Sequence, residues 1–94
     1  IVVLDLDGHF RMVNSKVCAI FGYSKEALLR LHVEDTYVAA DKPHAKLFLD
    51  HVREGKPLRF QRLLQRADGT VISVEISATK MSDNRFQAIV RDIA

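Results

Sequence analysis

The chemistry open to this chain starts from four histidines, His9, His32, His44 and His51, and one cysteine, Cys18. The histidines are dispersed and have no cysteine set beside them, so none of the close spacings that hold a zinc ion is present. Cys18 falls on a short apolar helical stretch and reads as a small buried side chain. Aspartates and serines occur, but no nucleophile elbow or phosphate-cradling glycine loop arranges them, and the chain carries no catalytic constellation. Two residues stand out. His44 lies near the start of the longest predicted helix, beside Asp41 and Lys42, where one helix face must meet an apolar interior. Arg62 lies in a strand whose strict alternation with Leu58, Phe60 and Leu64 would point it inward, where an unpaired guanidinium is very costly. Either a bulge turns Arg62 outward, or it meets a buried carboxylate or an anionic ligand. Leu63 beside Leu64 breaks the alternation, and the bulge is the expectation.

The elements that must position these groups follow from periodicity. Leu58 to Arg66 and Ile72 to Thr79 are long strands on either side of Asp68-Gly69, a tight hairpin signal. Ile1 to Leu4 is a continuous apolar run, expected to be buried on both faces or covered by something outside this chain. Asp5-Leu6-Asp7-Gly8 turns it into a second strand, His9 to Val13, with Phe10 and Met12 expected on one face. Asn14 caps a short helix from Ser15 to Phe21, with Val17, Ile20 and Phe21 inward and Cys18 and Ala19 small enough to be buried beside them. Gly22 ends it, and Ser24 caps a second helix carrying Ala27, Leu28 and Leu31. Val33, Tyr37 and Val38 hint at one further turn. Asp41 is expected to cap the long helix, in which Ala45, Phe48, Leu49 and Val52 keep helical spacing and Gly55 stops the run. Ser82-Asp83-Asn84 makes a turn into the last strand, with Phe86, Ala88 and Val90 on one face and Gln87, Ile89, Arg91 and Ile93 on the other. The fold class is α+β: a five-stranded antiparallel sheet with short helices on one face, in the order ββααα(α)βββ.

Composition bounds the function. Ninety-four residues with 48% apolar and 28% charged side chains make one ordinary globular domain. A net charge of +2, with basic residues spread along the chain and no tryptophan, argues against nucleic-acid binding. No apolar run approaches a membrane span, so no membrane contact by this domain is expected. The lone cysteine suits a cytoplasmic setting. The abrupt apolar start and the ending at Ala94 suggest that residues 1–94 are one domain of a longer protein. Phe21, Phe48 and Phe60 could line an internal cavity, with Leu28, Leu64, Val74, Ile76 and Ala88 as further ligand-pocket candidates. Ile1 to Leu4, Leu63, Val71, Ile89 and Ile93 offer apolar side chains to the opposite sheet face, an expected surface for a second copy or a flanking helix.

Several pieces recur in one order: Asp5-Leu6-Asp7-Gly8 before Phe10 and Val13-Asn14, Phe21-Gly22-Tyr23-Ser24-Lys25-Glu26-Ala27-Leu28, Gly55, Arg66-Ala67-Asp68-Gly69-Thr70 and Val90-Arg91-Asp92-Ile93. In this order and at these separations, the chain resembles a PAS domain over nearly its whole length. The resemblance implies a sensory and dimerisation module of bacterial signalling proteins, sensor histidine kinases first among them. It implies that the domain binds a small ligand or none and is not itself an enzyme. An ending similar to Arg91-Asp92-Ile93-Ala94 would relay to a C-terminal effector, although Ala94 stands where Thr or Ser is commoner. His44 matches the haem-ligating histidine of oxygen-sensing PAS domains, which makes a haem-based gas sensor the alternative. Leu64, Leu58 and Asp50 depart from the residues that contact oxygen and haem propionates there. Flavin photochemistry needs a cysteine in an Asn-Cys-Arg turn, and Leu31-His32-Val33-Glu34 has none.

Overall fold

The computed structural model describes residues 1–81 and 84–93. Five strands, β1 (Val2–Asp5), β2 (Phe10–Val13), β3 (Leu58–Gln65), β4 (Val71–Lys80) and β5 (Arg85–Asp92), form one antiparallel sheet in the order β2-β1-β5-β4-β3. Three helices, α1 (Ser15–Phe21), α2 (Lys25–Leu28) and α3 (Lys42–Arg53), lie between β2 and β3 in sequence, with 3-10 turns at Val33–Thr36 and Ala39–Asp41. This is the architecture expected from the sequence. Of the turn expected at Ser82-Asp83-Asn84, Ser82 and Asp83 lie outside the described residues, as does Ala94; Asn84 has a positive φ of 65°.

The core forms between the inner sheet face and the helices, and strand alternation decides its membership. Val2 and Leu4 of β1, Val74, Ile76 and Ala78 of β4, and Phe86, Ala88 and Val90 of β5 are buried. Ala45, Phe48, Leu49 and Val52 meet them from α3 at the predicted helical spacing. The N-caps also form as predicted: Asn14 accepts from Val17 N–H at 2.9 Å, and Ser24 from Ala27 N–H at 3.2 Å. Within α1, Ala19 is exposed instead of buried, and α2 ends at Leu28 short of Leu31.

Two expectations at the β1–β2 edge are corrected. Phe10 pairs with Leu4, but Met12 pairs with Val3, so the register slips by one residue at Arg11. Phe10 therefore turns inward at 4% exposure while Met12 stands outward at 61%. The extra residue has an electrostatic anchor, because Arg11 Nε and Nη2 reach Asp5 Oδ2 at 3.0 and 2.9 Å. Partial burial pushes the Asp5 carboxyl up, but hydrogen bonds from His9 N–H, Arg11 and Asp7 N–H outweigh it and hold it below its ordinary value. Nor is β1 buried on both faces: Val2 and Leu4 are inside, Val3 is half-buried, and Ile1 is exposed.

The β1–β2 turn is clamped from two sides. His32 Nδ1 accepts from Glu34 N–H while Asp35 accepts from His32 N–H, a capping box on the Val33–Thr36 turn. With Nδ1 accepting, Nε2 carries the proton and donates to the Asp7 carbonyl. Arg53, at the end of α3, donates to the Leu6 carbonyl at 3.0 Å. Gly8 sits under this imidazole with φ 98°, and an added Cβ would meet His32 Nε2 at 2.7 Å. Gly55 has a similar φ of 82° with open space around it. Gly55→Ala should therefore cost about 1–2 kcal/mol, the penalty of left-handed backbone alone. Gly8→Ala should cost about 1–3 kcal/mol more through overpacking, a difference that urea denaturation of the two variants would measure.

Candidate ligand site

A cleft of about 230 Å³ opens between α3 and the sheet-edge strand β3, lined by His44, Leu47, Phe48, His51, Leu58, Phe60, Gln61 and Arg62. Phe48, Leu58 and Phe60 give it an apolar floor, and His44, Leu47 and His51, on one side of α3, line its helical wall. Behind it, at the centre of the core, lies a separate void of about 30 Å³, lined among others by Phe21, Tyr37, Phe48, Leu64, Ile76, Phe86 and Ala88. That is room enough for a water molecule, which needs about 10–15 Å³ of such space. Phe48 borders both spaces, and its ring packs against Phe60 at 5.3 Å and Phe86 at 5.5 Å.

Arg62 is where the structure departs most from expectation. Pairing of β3 with β4 runs without a bulge from Leu58 opposite Ala78 to Gln65 opposite Val71. Alternation therefore holds, Leu63 is the exposed outward residue, and Arg62 points inward with Leu58, Phe60 and Leu64. Burial of the guanidinium is made tolerable locally. Its Cζ lies 5.4 Å from the Tyr37 ring centre and 5.5 Å from that of Phe60. Nη1 donates to His44 Nδ1 at 3.0 Å and stands 3.9 Å from Asp41 Oδ2. Arginine only donates, so His44 Nδ1 accepts and its proton lies on Nε2. His51 has the opposite tautomer, because its Nδ1 faces the Leu47 carbonyl at 2.9 Å and must donate. Asp41, expected to cap α3, makes no capping hydrogen bond and turns its carboxylate toward Arg62 instead.

Two polar atoms at this junction are buried without a hydrogen-bond partner: Arg62 Nε and the Tyr37 hydroxyl. Burial pushes the Tyr37 phenol up to about 12, against the opposing pull of the Arg62 charge. Sequence reading missed Tyr37 as a site residue. It follows the 3-10 turn in extended backbone and bridges to Leu64 on the open edge of β3, a long-range placement that no local pattern announces.

The sequence-predicted pocket residues divide. Phe21, Phe48, Leu64, Ile76 and Ala88 surround the internal void, Phe60 lines the outer cleft, and Leu28 and Val74 are fully buried core that borders neither. His44 is exposed on α3 with its Nδ1 engaged by Arg62, and the cleft beside it holds only about 230 Å³. The residues present do not fit a haem. Cys18 is a half-buried free thiol in α1. Among the described residues no group of three or more His, Cys, Asp or Glu could hold a metal ion, and no helix is long and apolar enough to cross a membrane.

The comparisons with known proteins agree with this geometry. The family model described as PAS domain matches residues 1–94. The chain belongs to the PAS family. A domain of a sensory box sensor histidine kinase/response regulator from Geobacter sulfurreducens is 30% identical, with a TM-score of 0.90 over 97% of this chain and 80% of that one. The PAS domain of an HTR-like protein from Haloarcula marismortui is also 30% identical, with a TM-score of 0.82 over 98% and 78%. The PAS domain of the RpfR quorum-sensing receptor from Cronobacter turicensis, solved in complex with BDSF, is 16% identical, with a TM-score of 0.83 over 99% and 91%. At that identity it shares the fold alone. No curated protein matches the chain.

Two outcomes test this PAS site. Tyr37 ionises near 10 when unfolded and near 12 when folded, so the unfolded state loses its proton first and stability falls as pH rises between those values. The loss should be roughly 2–3 kcal/mol, measured by urea denaturation across that window, and Tyr37→Phe should abolish it. Protein expressed with a haem supply should show no Soret band in its absorbance spectrum.

Proposed function

We propose that this PAS domain is the sensory module of a cytoplasmic bacterial signalling protein, with a sensor histidine kinase the favoured parent. In this reading a small ligand acts at α3 and the inner sheet face, and β5 relays the change through Arg91, Asp92 and Ile93 to an effector on the same polypeptide. One observation carries the reading. Phe86, Ala88 and Val90 border the internal void, while Ile89 on the same strand is exposed on the opposite face. β5 is thus the strand through which a change of internal packing reaches the outer face and the C-terminal end. The 30% identity to a sensor histidine kinase domain supports the parent class.

The outer sheet face is the proposed contact with a second copy or a flanking helix. Its apolar residues are fewer than the sequence suggested, because Val2 and Leu4 belong to the core. Antiparallel pairing instead puts Val3 beside Met12. Leu63 and Ser73 pair at the other end, where Ile93 N–H donates to the Ser73 carbonyl at 3.1 Å. Between these ends Glu75 pairs with Arg91 and holds Arg59 in a 3.1 Å ion pair. A partner would therefore seat on two apolar ends divided by a polar bar. Burying them would favour association at about 25 cal/mol per Å² before association costs.

Overfilling the void tests the relay. Ala88→Leu should move the backbone amide resonances of Arg91 to Ile93, whereas the same enlargement at exposed Ala19 should leave them in place. If the Ala88 variant folds and those amides stay put, the relay reading fails. Ile89→Glu should shift any dimer toward monomer in sedimentation equilibrium, and an unchanged association constant would move the contact off this face.

A further inference from the structure

A strand at the edge of a sheet offers its outward N–H and C=O groups to any extended chain, and folded proteins blunt such edges with bulges, prolines or charge. β3 is an edge strand of eight residues, with no bulge against β4 and no proline. The β3–β4 hairpin closes with Arg66 N–H donating to the Thr70 carbonyl at 2.8 Å, which makes Arg66 and Thr70 a hydrogen-bonded pair. Bonded and non-bonded pairs alternate along an antiparallel ladder. Leu64, Arg62, Phe60 and Leu58 therefore direct their backbone groups at β4, and Gln65, Leu63, Gln61 and Arg59 direct theirs at the open edge. One end of that edge is already used, since Tyr37 pairs antiparallel with Leu64. At the other end, among the described residues, nothing hydrogen-bonds the edge-facing backbone groups of Arg59 or Gln61. With one donor and one acceptor each, these two exposed residues offer about four ladder bonds.

The side chains beside this gap define what fits it. On the outer face, the Arg59 side chain is 71% exposed and holds Glu75 at 3.1 Å with donors to spare. On the inner face, Arg62 makes one hydrogen bond, to His44 at 3.0 Å, and stands 3.9 Å from Asp41. Leu58 and Phe60 are half-buried, with a flank that an added strand would cover. Opposite charges on neighbouring strands stabilise a sheet, and like charges oppose it. Twofold pairing of two β3 strands would crowd the Arg59 and Arg62 of both copies into one short stretch, so a second copy brings the wrong charge.

We propose that the open half of β3, Leu58 to Arg62, takes up an extended acidic segment of a partner polypeptide as an added strand, antiparallel as Tyr37 is beside Leu64. The order of residues in that segment follows from the alternation of β3. One carboxylate pairs with inward Arg62 and a second with outward Arg59, while apolar side chains lie against Phe60 and Leu58. This contact uses the edge of the sheet and is separate from the outer face.

Fluorescence anisotropy of a capped, labelled peptide, Gly-Glu-Thr-Val-Glu-Val-Gly, titrated with the 94-residue chain tests it. The peptide should bind saturably, and its counterpart with both glutamates changed to lysine should bind at least tenfold more weakly. Strand pairing makes a sharper demand, because alternate amides of the peptide face β3 and solvent. N-methylation of the threonine should weaken binding at least tenfold, and N-methylation of the valine after it should leave binding within twofold. On the protein, Gln61→Pro removes an N–H that β4 does not use, so it should keep the far-UV circular dichroism and lose the peptide. Arg59→Gln should weaken binding severalfold, and Ile89→Glu, on the outer face, should leave it unchanged. Equal binding of acidic and basic peptides, equal effects of the two N-methyl groups, or no saturable binding would each overturn the proposal. So would amide shifts gathered away from β3, or a dimer of the chain that Gln61→Pro dissociates, which would give the edge to a second copy. Should Gln61→Pro fail to fold, the two N-methylated peptides on the unaltered chain still decide.

Discussion

An unbroken antiparallel register along β3 and β4 places a guanidinium on the same face as Leu58, Phe60 and Leu64, and much of the site follows from that placement. A charge cannot sit bare against hydrocarbon, so its surroundings must supply either counter-charge or polarisable surface. Here the surroundings supply some of each: two aromatic faces, one imidazole nitrogen and a carboxylate just beyond hydrogen-bond reach. These demands recruit Tyr37 from the segment before α3, Asp41 from the helix start and His44 from its first turns. The helix loses its capping hydrogen bond from Asp41, a sacrifice typically near 1 kcal/mol, and the sheet edge acquires a cationic lining.

The same constraint explains why the two internal spaces differ in character. The central void is enclosed almost wholly by carbon, with strand alternation delivering Leu64, Ile76, Phe86 and Ala88 and the helices delivering Phe21 and Phe48. It is far smaller than the outer cleft. The outer cleft is larger and lies at the sheet edge, because β3 has no further strand beside it and Leu58 and Phe60 look across at α3. A PAS domain with this arrangement holds its polar chemistry at the rim, beside the β3 edge, and lines its centre with hydrocarbon. Between the two spaces stands a single ring, Phe48.

At the other edge of the sheet, rigidity is built from backbone contacts. Arg11 and Asp5 hold the register slip in β2, while His32 and Arg53 pin the β1–β2 turn to the 3-10 turn and to the end of α3. Phe21 C=O accepts from Ala67 N–H at 2.9 Å, which fastens the tip of the β3–β4 hairpin to the end of α1. The C-terminal ends of α1 and α3 are thereby each tied to a strand turn.

Element identity and order were legible in the residues alone, because alternation, helical spacing, Asn14, Ser24 and the hairpin at Asp68-Gly69 are local signals that act within a few residues. The ordered family pieces from Asp5 to Ile93 likewise read directly from the chain. What lay beyond local pattern was everything decided by a neighbour distant in sequence. Whether Arg62 faces in or out depends on hydrogen-bond pairing with β4, and whether Met12 is core depends on where β2 slips against β1. The use of Asp41 for a charge instead of a cap, the bridge from Tyr37 to Leu64 and the closure of the interior by Phe48 belong to the same class. Local propensity is set by the backbone of each residue and its immediate side chains. Burial and charge pairing are set by whichever atoms the completed sheet brings opposite, and only the assembled tertiary structure decides those.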